Sequence, residues 1–340
     1  MNYRFDNITV FGDGSWGTAL SNLLADNGME VCLWCYDKRA YESIQESREN
    51  RIYLKGIAVS DRVKPTLSLH KAFDFSNLLL FVIPSKFFRN ILSDSSELIR
   101  SDHYIISAIK GIENETLKLP GEIIEDFLPA GYSKAPAFLS GPTFALEVAM
   151  RQPTTCVIAS RDMEYSKSIQ HTISNDYFRC YTNQDITGVQ IGGAIKNIIA
   201  LASGILDGLG LGTNSQAALI TRGLAEIARL GERLGAEKTT FFGISGLGDL
   251  VLTATGKLSR NRTVGYELGR GRNLKDILSS RESVAEGIST TKSVYSLAKK
   301  LGIEMPICFE VYNILYKNKP IKDAIKSVMT RSLKDELHSY

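Results

Sequence analysis

Short β-branched and aromatic runs alternate with amphipathic helical stretches from residue 3 to about 185, the pattern of a parallel sheet covered by helices. Apolar runs at 8–11, 31–34, 78–83, 104–108, 137–139 and 155–159 predict strands, and 16–27 and 164–174 predict two of the helices between them. After Asp185 strand signals fade and helical periodicity takes over. The chain therefore predicts an α/β N-terminal domain, residues 1–186, followed by an all-α C-terminal domain, residues 187–340. The apolar stretch 189–206 carries Lys196, Asn197 and several glycines, which favours a buried helix over a membrane span. A last helix is expected behind Pro320, with Ile321, Ile325, Val328 and Met329 on one face.

Composition narrows the picture. The 340 residues are 44% hydrophobic, enough for a sizeable core, and 40 Lys and Arg nearly balance 37 Asp and Glu. Nucleic acid is not an expected partner. The first residues lack the basic start and apolar run of a secretory signal. The five cysteines, Cys32, Cys35, Cys156, Cys180 and Cys308, are odd in number and scattered, which argues for a reducing compartment and a cytoplasmic protein. Cys32 and Cys35 form C-x-x-C on a buried strand without a second pair. The four histidines, His70, His103, His171 and His338, lack metal-ligand spacing, so no metal is expected.

Chemistry enters at Gly12, Gly14 and Gly17, a G-x-G-x-x-G directly after a strand and at the opening of a helix. The first glycine permits the tight turn, the second admits a pyrophosphate to the backbone, and the third lets helix and strand pack closely. In this context the string reads as a dinucleotide site on a Rossmann-like domain. Beyond the second strand, Asp37 lies where an acidic residue would hold the ribose 2′-hydroxyl of NAD, while Lys38 or Arg39 suits the extra phosphate of NADP. Either cofactor is compatible with that mixture.

Lys196 is a cation in an otherwise apolar helix. Burial requires a carboxylate partner, a lowered pKa or a polar cleft, and each is compatible with proton transfer. Lys110-Gly111 and Ser140-Gly141-Pro142-Thr143-Phe144-Ala145 follow predicted strands, at the carboxyl ends where open α/β sheets bind ligands. Gly246-Leu247-Gly248-Asp249-Leu250, Ser259-Arg260-Asn261 and Val284-Ala285-Glu286-Gly287 are comparable small and polar strings in the helical part.

In this order the motifs resemble the bacterial-type NAD(P)-dependent glycerol-3-phosphate dehydrogenases. The resemblance runs from Gly12-Asp13-Gly14-Ser15-Trp16-Gly17-Thr18-Ala19 to Glu286-Gly287-Ile288 and Thr290-Thr291-Lys292. It implies that Lys196 is the general acid/base and that Asp249 helps to bind substrate and orient the site. It also implies that Lys110, Gly141 and Thr143 line the substrate and that Ser259, Arg260 and Asn261 hold its phosphate. Gly12, Gly14, Ser15, Trp16, Gly17, Tyr36, Lys110, Ala145, Arg260, Val284 and Glu286 would contact NAD or NADP. The implied reaction is interconversion of dihydroxyacetone phosphate and glycerol 3-phosphate, feeding glycerophospholipid synthesis. A homodimer is a working expectation that no residue pattern carries.

The chain departs from that pattern twice. Tyr36 stands where many relatives have a basic or imidazole side chain, and Ile109 replaces a small hydroxyl residue before Lys110-Gly111. Two other readings have different requirements. A reductase acting on a 2-keto or 3-hydroxy acid would not require Ser259-Arg260-Asn261. A non-catalytic NADH sensor would require neither Lys196 nor a phosphate clamp.

Overall fold

The structure, a computed structural model, describes residues 5–280, 285–333 and 335–336. The backbone forms two compact units. One runs up to Ile109 and resumes over Pro120–Ile186, and the other holds Lys110–Leu119 and the chain from Thr187 onward.

The first unit is built on eight strands: β1 Asn7–Phe11, β2 Glu30–Trp34, β3 Val63–Thr66, β4 Leu78–Phe81, β5 Tyr104–Ser107, β6 Ala137–Ser140, β7 Thr154–Ala159 and β8 Phe178–Asn183. They form one sheet in the order β3-β2-β1-β4-β5-β6-β7-β8. Helices α1 Ser15–Asp26, α2 Lys38–Ser47, α3 Leu69–Phe75, α4 Ser85–Asp94, α5 Pro120–Glu125, α6 Ala145–Ala149 and α7 Met163–Ile173 connect them. The inner strands are continuous apolar runs because the sheet is covered on both faces; every residue of β4 is buried. Phe11 is level with Trp34 on one side and Phe81 on the other, so β1, β2 and β4 end together. The chain direction across the sheet reverses between β1 and β4, which leaves a crevice at their carboxyl ends.

Three features differ from the sequence reading. Strands β3 and β8 were not expected, and both lie at sheet edges, where burial asks less of the sequence. β3 accommodates Pro65 because an edge strand can spare a donor, and β8 alternates buried and exposed residues at its start. β6 and β7 pair antiparallel in an otherwise parallel sheet. The segment Lys110–Leu119, expected within the first domain, groups with the second unit. Ile112 and Leu119 bury themselves in the helical core there, and the Ser293 hydroxyl donates to the Ile112 carbonyl at 2.8 Å.

The second unit contains α8 Ile186–Gly208, α9 Thr213–Arg233, α10 Asp249–Thr255, α11 Arg260–Gly269, α12 Leu274–Ser279, α13 Glu286–Leu301, α14 Pro306–Lys317 and α15 Ile321–Met329. Among the described residues, α8 alone is long and apolar enough to cross a membrane, and it is mostly buried within the protein. Its small residues explain how tightly it packs. A Cβ on Gly204 would lie 1.9 Å from the Arg262 carbonyl oxygen, and one on Gly265 would lie 2.0 Å from that of Leu201. Helices α8 and α11 therefore touch backbone to backbone. In α15 the expected apolar face is only partly used: Ala324 is buried, whereas Met329 is 76% exposed.

This seam is testable. Gly265→Ala should destabilise the protein by about 1–3 kcal/mol, the usual cost of overpacking a close contact. Urea unfolding of the purified variant would measure it, and an unchanged midpoint would show that the two helices are not in backbone contact.

Candidate functional site

In the first unit the turn after β1 is shaped by what its glycines exclude. Gly12 has φ +125°, and a Cβ there would lie 2.7 Å from the Val82 carbonyl oxygen; a Cβ on Gly17 would fall 1.8 Å from the carbonyl of Gly12 itself. Gly14 is the opposite case, with nothing within 4 Å of its would-be Cβ. It caps α1 without any side-chain hydrogen bond to the first turn, so backbone N–H groups there retain their capacity to bind an anion. The Trp16 indole Nε1 is buried and has no hydrogen-bond partner among the described residues. An open helix N-terminus, a glycine cradle and an orphaned donor fit a dinucleotide pyrophosphate.

Asp13, which the sequence reading passed over, anchors this turn. Its carboxylate accepts the Asp37 N–H at 3.0 Å, tying the glycine turn to the exit of β2. Burial pushes its pKa up, against the pull of these backbone bonds. The Asn50 amide donates to the Asp13 carbonyl and to the Thr18 hydroxyl, both at 2.8 Å. A charge between two glycines was the available signal.

At the β2 exit, Asp37 caps α2 by accepting the Arg39 N–H. Its carboxylate also takes Arg39 Nη2 and the Tyr53 hydroxyl, each at 2.8 Å. The Arg39 hydrogen bond lowers its pKa to about 2. Tyr36 is 71% exposed, its ring lying nearly parallel to Phe87 with centroids 6.3 Å apart.

The second unit holds a buried charge cluster. A π-helical turn, Ile244–Gly248, leads directly into α10. A Cβ on Gly192 of α8 would lie 2.8 Å from the Ser245 carbonyl oxygen, so the glycine lets that turn approach α8. The approach places Asp249 beside Lys196. The Lys196 ammonium donates to one Asp249 oxygen and to the Thr253 hydroxyl at 2.9 Å, while Lys110 donates to the other Asp249 oxygen at 2.7 Å. Thr253 completes the arrangement by donating to the Asp249 backbone carbonyl at 2.6 Å. Asp249 is wholly buried, and both lysine side chains are nearly so. Burial pushes the Lys196 pKa well below the usual lysine value; Asp249 opposes that shift and the Lys110 charge adds to it. Two cations sharing one carboxylate leave Lys196 poised to give up a proton.

The same helices gather the next group. Asn197, adjacent to Lys196, accepts the Asn261 amide at 2.9 Å, and the Asn261 carbonyl accepts the Gly287 N–H at 3.0 Å. Asn261 thus spends its side chain on joining α8, α11 and α13, with one amide hydrogen left over. Ser259 is the α11 cap, its oxygen accepting the Arg262 N–H at 3.2 Å and its own hydrogen remaining to donate. Arg260 is exposed, and its guanidinium has no partner among the described residues. Thr253 and Asn197 were missed by the sequence reading, because a threonine one turn after Asp249 and an asparagine after Lys196 signal nothing by themselves.

The remaining expected residues lie apart from this cluster in the chain. Gly141 follows β6, where a Cβ would lie 2.8 Å from the Cys156 Cα. Thr143 donates to the Gly141 carbonyl at 3.3 Å, and Ala145 opens α6. Gly141, Thr143 and Ala145 belong to the first unit, whereas Lys110 belongs with Asp249 in the second rather than with the sheet it follows. Glu286 is the first residue of α13, and Val284 lies outside the described residues. Among the described residues no group of three or more acidic, histidine or cysteine side chains is arranged to hold a metal.

Comparison with known proteins bears on both units. The family models described as NAD-dependent glycerol-3-phosphate dehydrogenase N-terminus and C-terminus match residues 7–166 and 185–326. A protein of Citrifermentans bemidjiense called glycerol-3-phosphate dehydrogenase [NAD(P)+] is 47% identical over 97% of this chain and 99% of its own. One of that name from Syntrophobacter fumaroxidans is 46% identical over 97% of each chain. The crystal structure of glycerol-3-phosphate dehydrogenase from Coxiella burnetii superposes with a TM-score of 0.92 at 37% identity, covering 96% of this chain and 99% of that one.

The charge cluster makes a thermodynamic prediction. Asp249→Asn leaves two lysines without their shared carboxylate and should cost about 3–5 kcal/mol at neutral pH by urea unfolding. In the variant the folded Lys196 pKa sits below the unfolded value of roughly 10.4. Between those two values the unfolded chain holds the extra proton, so stability should rise with pH across that window. A pH-independent loss under about 1 kcal/mol would contradict the shared-carboxylate arrangement.

Proposed function

The chain belongs to the NAD-dependent glycerol-3-phosphate dehydrogenase family, and from that premise we propose that it interconverts dihydroxyacetone phosphate and sn-glycerol 3-phosphate. A bound nicotinamide dinucleotide supplies or accepts the hydride at C2 of the substrate. The observation that carries the reading is the buried Lys196, fixed by Asp249 and Thr253 beside a second cation, Lys110.

Reduction of a carbonyl turns its oxygen into an alkoxide, which needs a positive charge and then a proton. The Lys196 ammonium serves both needs: it polarises the C2 oxygen and donates its proton as the C–H bond forms. Its lowered pKa makes that donation easier than from an exposed lysine, and brings general acid catalysis nearer to neutral pH. In the oxidation direction the neutral amine removes the hydroxyl proton. Asp249 holds Lys196 in place and offsets the two ammonium charges, while Lys110 adds positive potential where the oxygen charge develops.

The phosphate falls to α11. Arg260 offers an exposed guanidinium, whose fork matches two phosphate oxygens. The hydrogens left on the Ser259 hydroxyl and the Asn261 amide supply flanking donors. Gly141 and Thr143 are assigned to the substrate, and Ser15, Trp16, Tyr36, Ala145, Val284 and Glu286 to the dinucleotide, on family likeness. The pathway role we assign is supply of the glycerophospholipid backbone from a cytoplasmic enzyme.

Oxidation of NADH and NADPH with dihydroxyacetone phosphate, followed by absorbance, tests the reaction. Lys196→Ala should lower the rate by at least about 10²–10⁴. In the wild-type protein the alkaline fall of the reduction rate should come below the pH at which an ordinary lysine loses its proton, because the donor form disappears there. No substrate-dependent oxidation with either coenzyme would refute the assignment. Arg260→Lys should weaken dihydroxyacetone phosphate far more than unphosphorylated dihydroxyacetone, and equal effects would remove Arg260 from the phosphate site.

A further inference from the structure

The exit of β2 carries a charge arrangement that discriminates between the two dinucleotides. In a sheet of this order the adenosine ribose lies at the carboxyl end of the second strand, beside the glycine turn. Here that end is fixed against the turn by two bonds: the Gly12 N–H donates to the Trp34 carbonyl at 3.1 Å, and the Asp37 N–H donates to Asp13 at 3.0 Å. Whatever Asp37 presents is therefore presented at a set place.

What it presents is a carboxylate clamped from two sides. Arg39 Nη2 and the Tyr53 hydroxyl each donate to Oδ2 at 2.8 Å, and the Arg39 N–H donates to Oδ1 at 2.9 Å. The contacts from Arg39 Nε, at 3.2 and 3.3 Å, are longer than these, and a ribose hydroxyl donating to Asp37 would compete with them. The neighbouring cations are already engaged. Arg39 is ion-paired to Asp37 itself, Lys38 pairs with Glu42 at 3.3 Å, and the Lys86 ammonium lies over the Phe87 ring at 4.5 Å. The position before Asp37 is the neutral Tyr36, whose exposed ring lies nearly parallel to that of Phe87 with centroids 6.3 Å apart. A 2′-phosphate would bring up to two negative charges to a fixed carboxylate whose nearest guanidinium is already neutralised.

We infer that this chain selects NADH over NADPH at the β2 exit, with Asp37, held by Arg39 and Tyr53, as the specificity-determining residue. The inference rests on the dehydrogenase reading above but concerns the adenosine end of the cofactor rather than its hydride-carrying end. It assigns the acceptor role to Asp37 and a restraining role to Arg39, in place of a phosphate-binding role for that arginine.

Binding of NADH and NADPH to the full chain without substrate, followed by fluorescence titration, gives the direct readout. NADH should bind at least about tenfold more tightly, since like charges brought together at an interface cost several kcal/mol. Asp37→Asn keeps a side chain able to cap α2 but removes the charge and releases Arg39, so the preference should shrink or invert. Arg39→Ala leaves the carboxylate unneutralised and should widen it, which gives a second variant of opposite sign. Equal or tighter NADPH binding by the wild-type chain, or a ratio unmoved in both variants, overturns the inference. Turnover of dihydroxyacetone phosphate is recorded on the same samples. Turnover that favours NADPH sinks the selectivity and leaves the dehydrogenase reading standing, whereas NADH-selective binding without turnover supports the selectivity and sinks that reading.

Discussion

One buried carboxylate, Asp249, shared by two lysines is the constraint around which the second unit is arranged. An ammonium taken out of water without a partner costs several kcal/mol, so Lys196 in the middle of the apolar α8 is tolerable only with Asp249 and Thr253 in reach. That requirement brings the Ile244–Gly248 turn onto α8, and Gly192 makes the approach possible. Lys110 reaches the same carboxylate from the segment that follows β5. Ile112 and Leu119 of that segment bury in the helical core, so it belongs with the helices rather than with the sheet. The same geometry compensates the charge only in part, so burial and the neighbouring Lys110 keep the Lys196 pKa low.

Glycine supplies the close approaches in both units, for different ends. At Gly12 and Gly17 the missing Cβ lets α1 sit on the end of β1, and the open space before Gly14 leaves the helix N-terminus to an anion. At Gly204 and Gly265 the missing Cβ lets α8 and α11 pack backbone on backbone. Through that packing Asn197 meets Asn261, so Arg260, the neighbour of Asn261, is carried on a helix joined to the one bearing Lys196. For the reaction proposed above, an acid and a phosphate clamp on joined helices would suit a small ketone whose carbonyl and phosphate are held by one short carbon chain.

The sequence made the interior of this fold legible and its margins less so. Buried strands such as β1 and β4 are apolar because both sheet faces are covered, and the G-x-G-x-x-G turn announces itself by position. Edge strands β3 and β8 lack that pressure, and Pro65 actively speaks against a strand unless its edge position is known. The antiparallel pairing of β6 and β7 leaves no mark in either strand, since both directions accept the same buried residues. In the site, Lys196 stood out because a cation in an apolar helix demands explanation, but periodicity does not name its partner 53 residues away. Asp249 was reached through the family resemblance. Thr253, Asn197 and Asp13 act through contacts between elements, which only folded geometry reveals. The double role of Asp37, capping α2 and holding Arg39 and Tyr53, was hidden for the same reason.

Burial beside Asp249 and Lys110 lowers the Lys196 pKa, so its proton should be unusually labile. Heteronuclear NMR of the protein carrying ¹³Cε-labelled lysine would measure it directly in the absence of substrate, with the Lys196 resonance assigned by its loss in Lys196→Arg. This one lysine should release its proton well below the pH at which the surface lysines do. A Lys196 that titrates together with the surface lysines would contradict it.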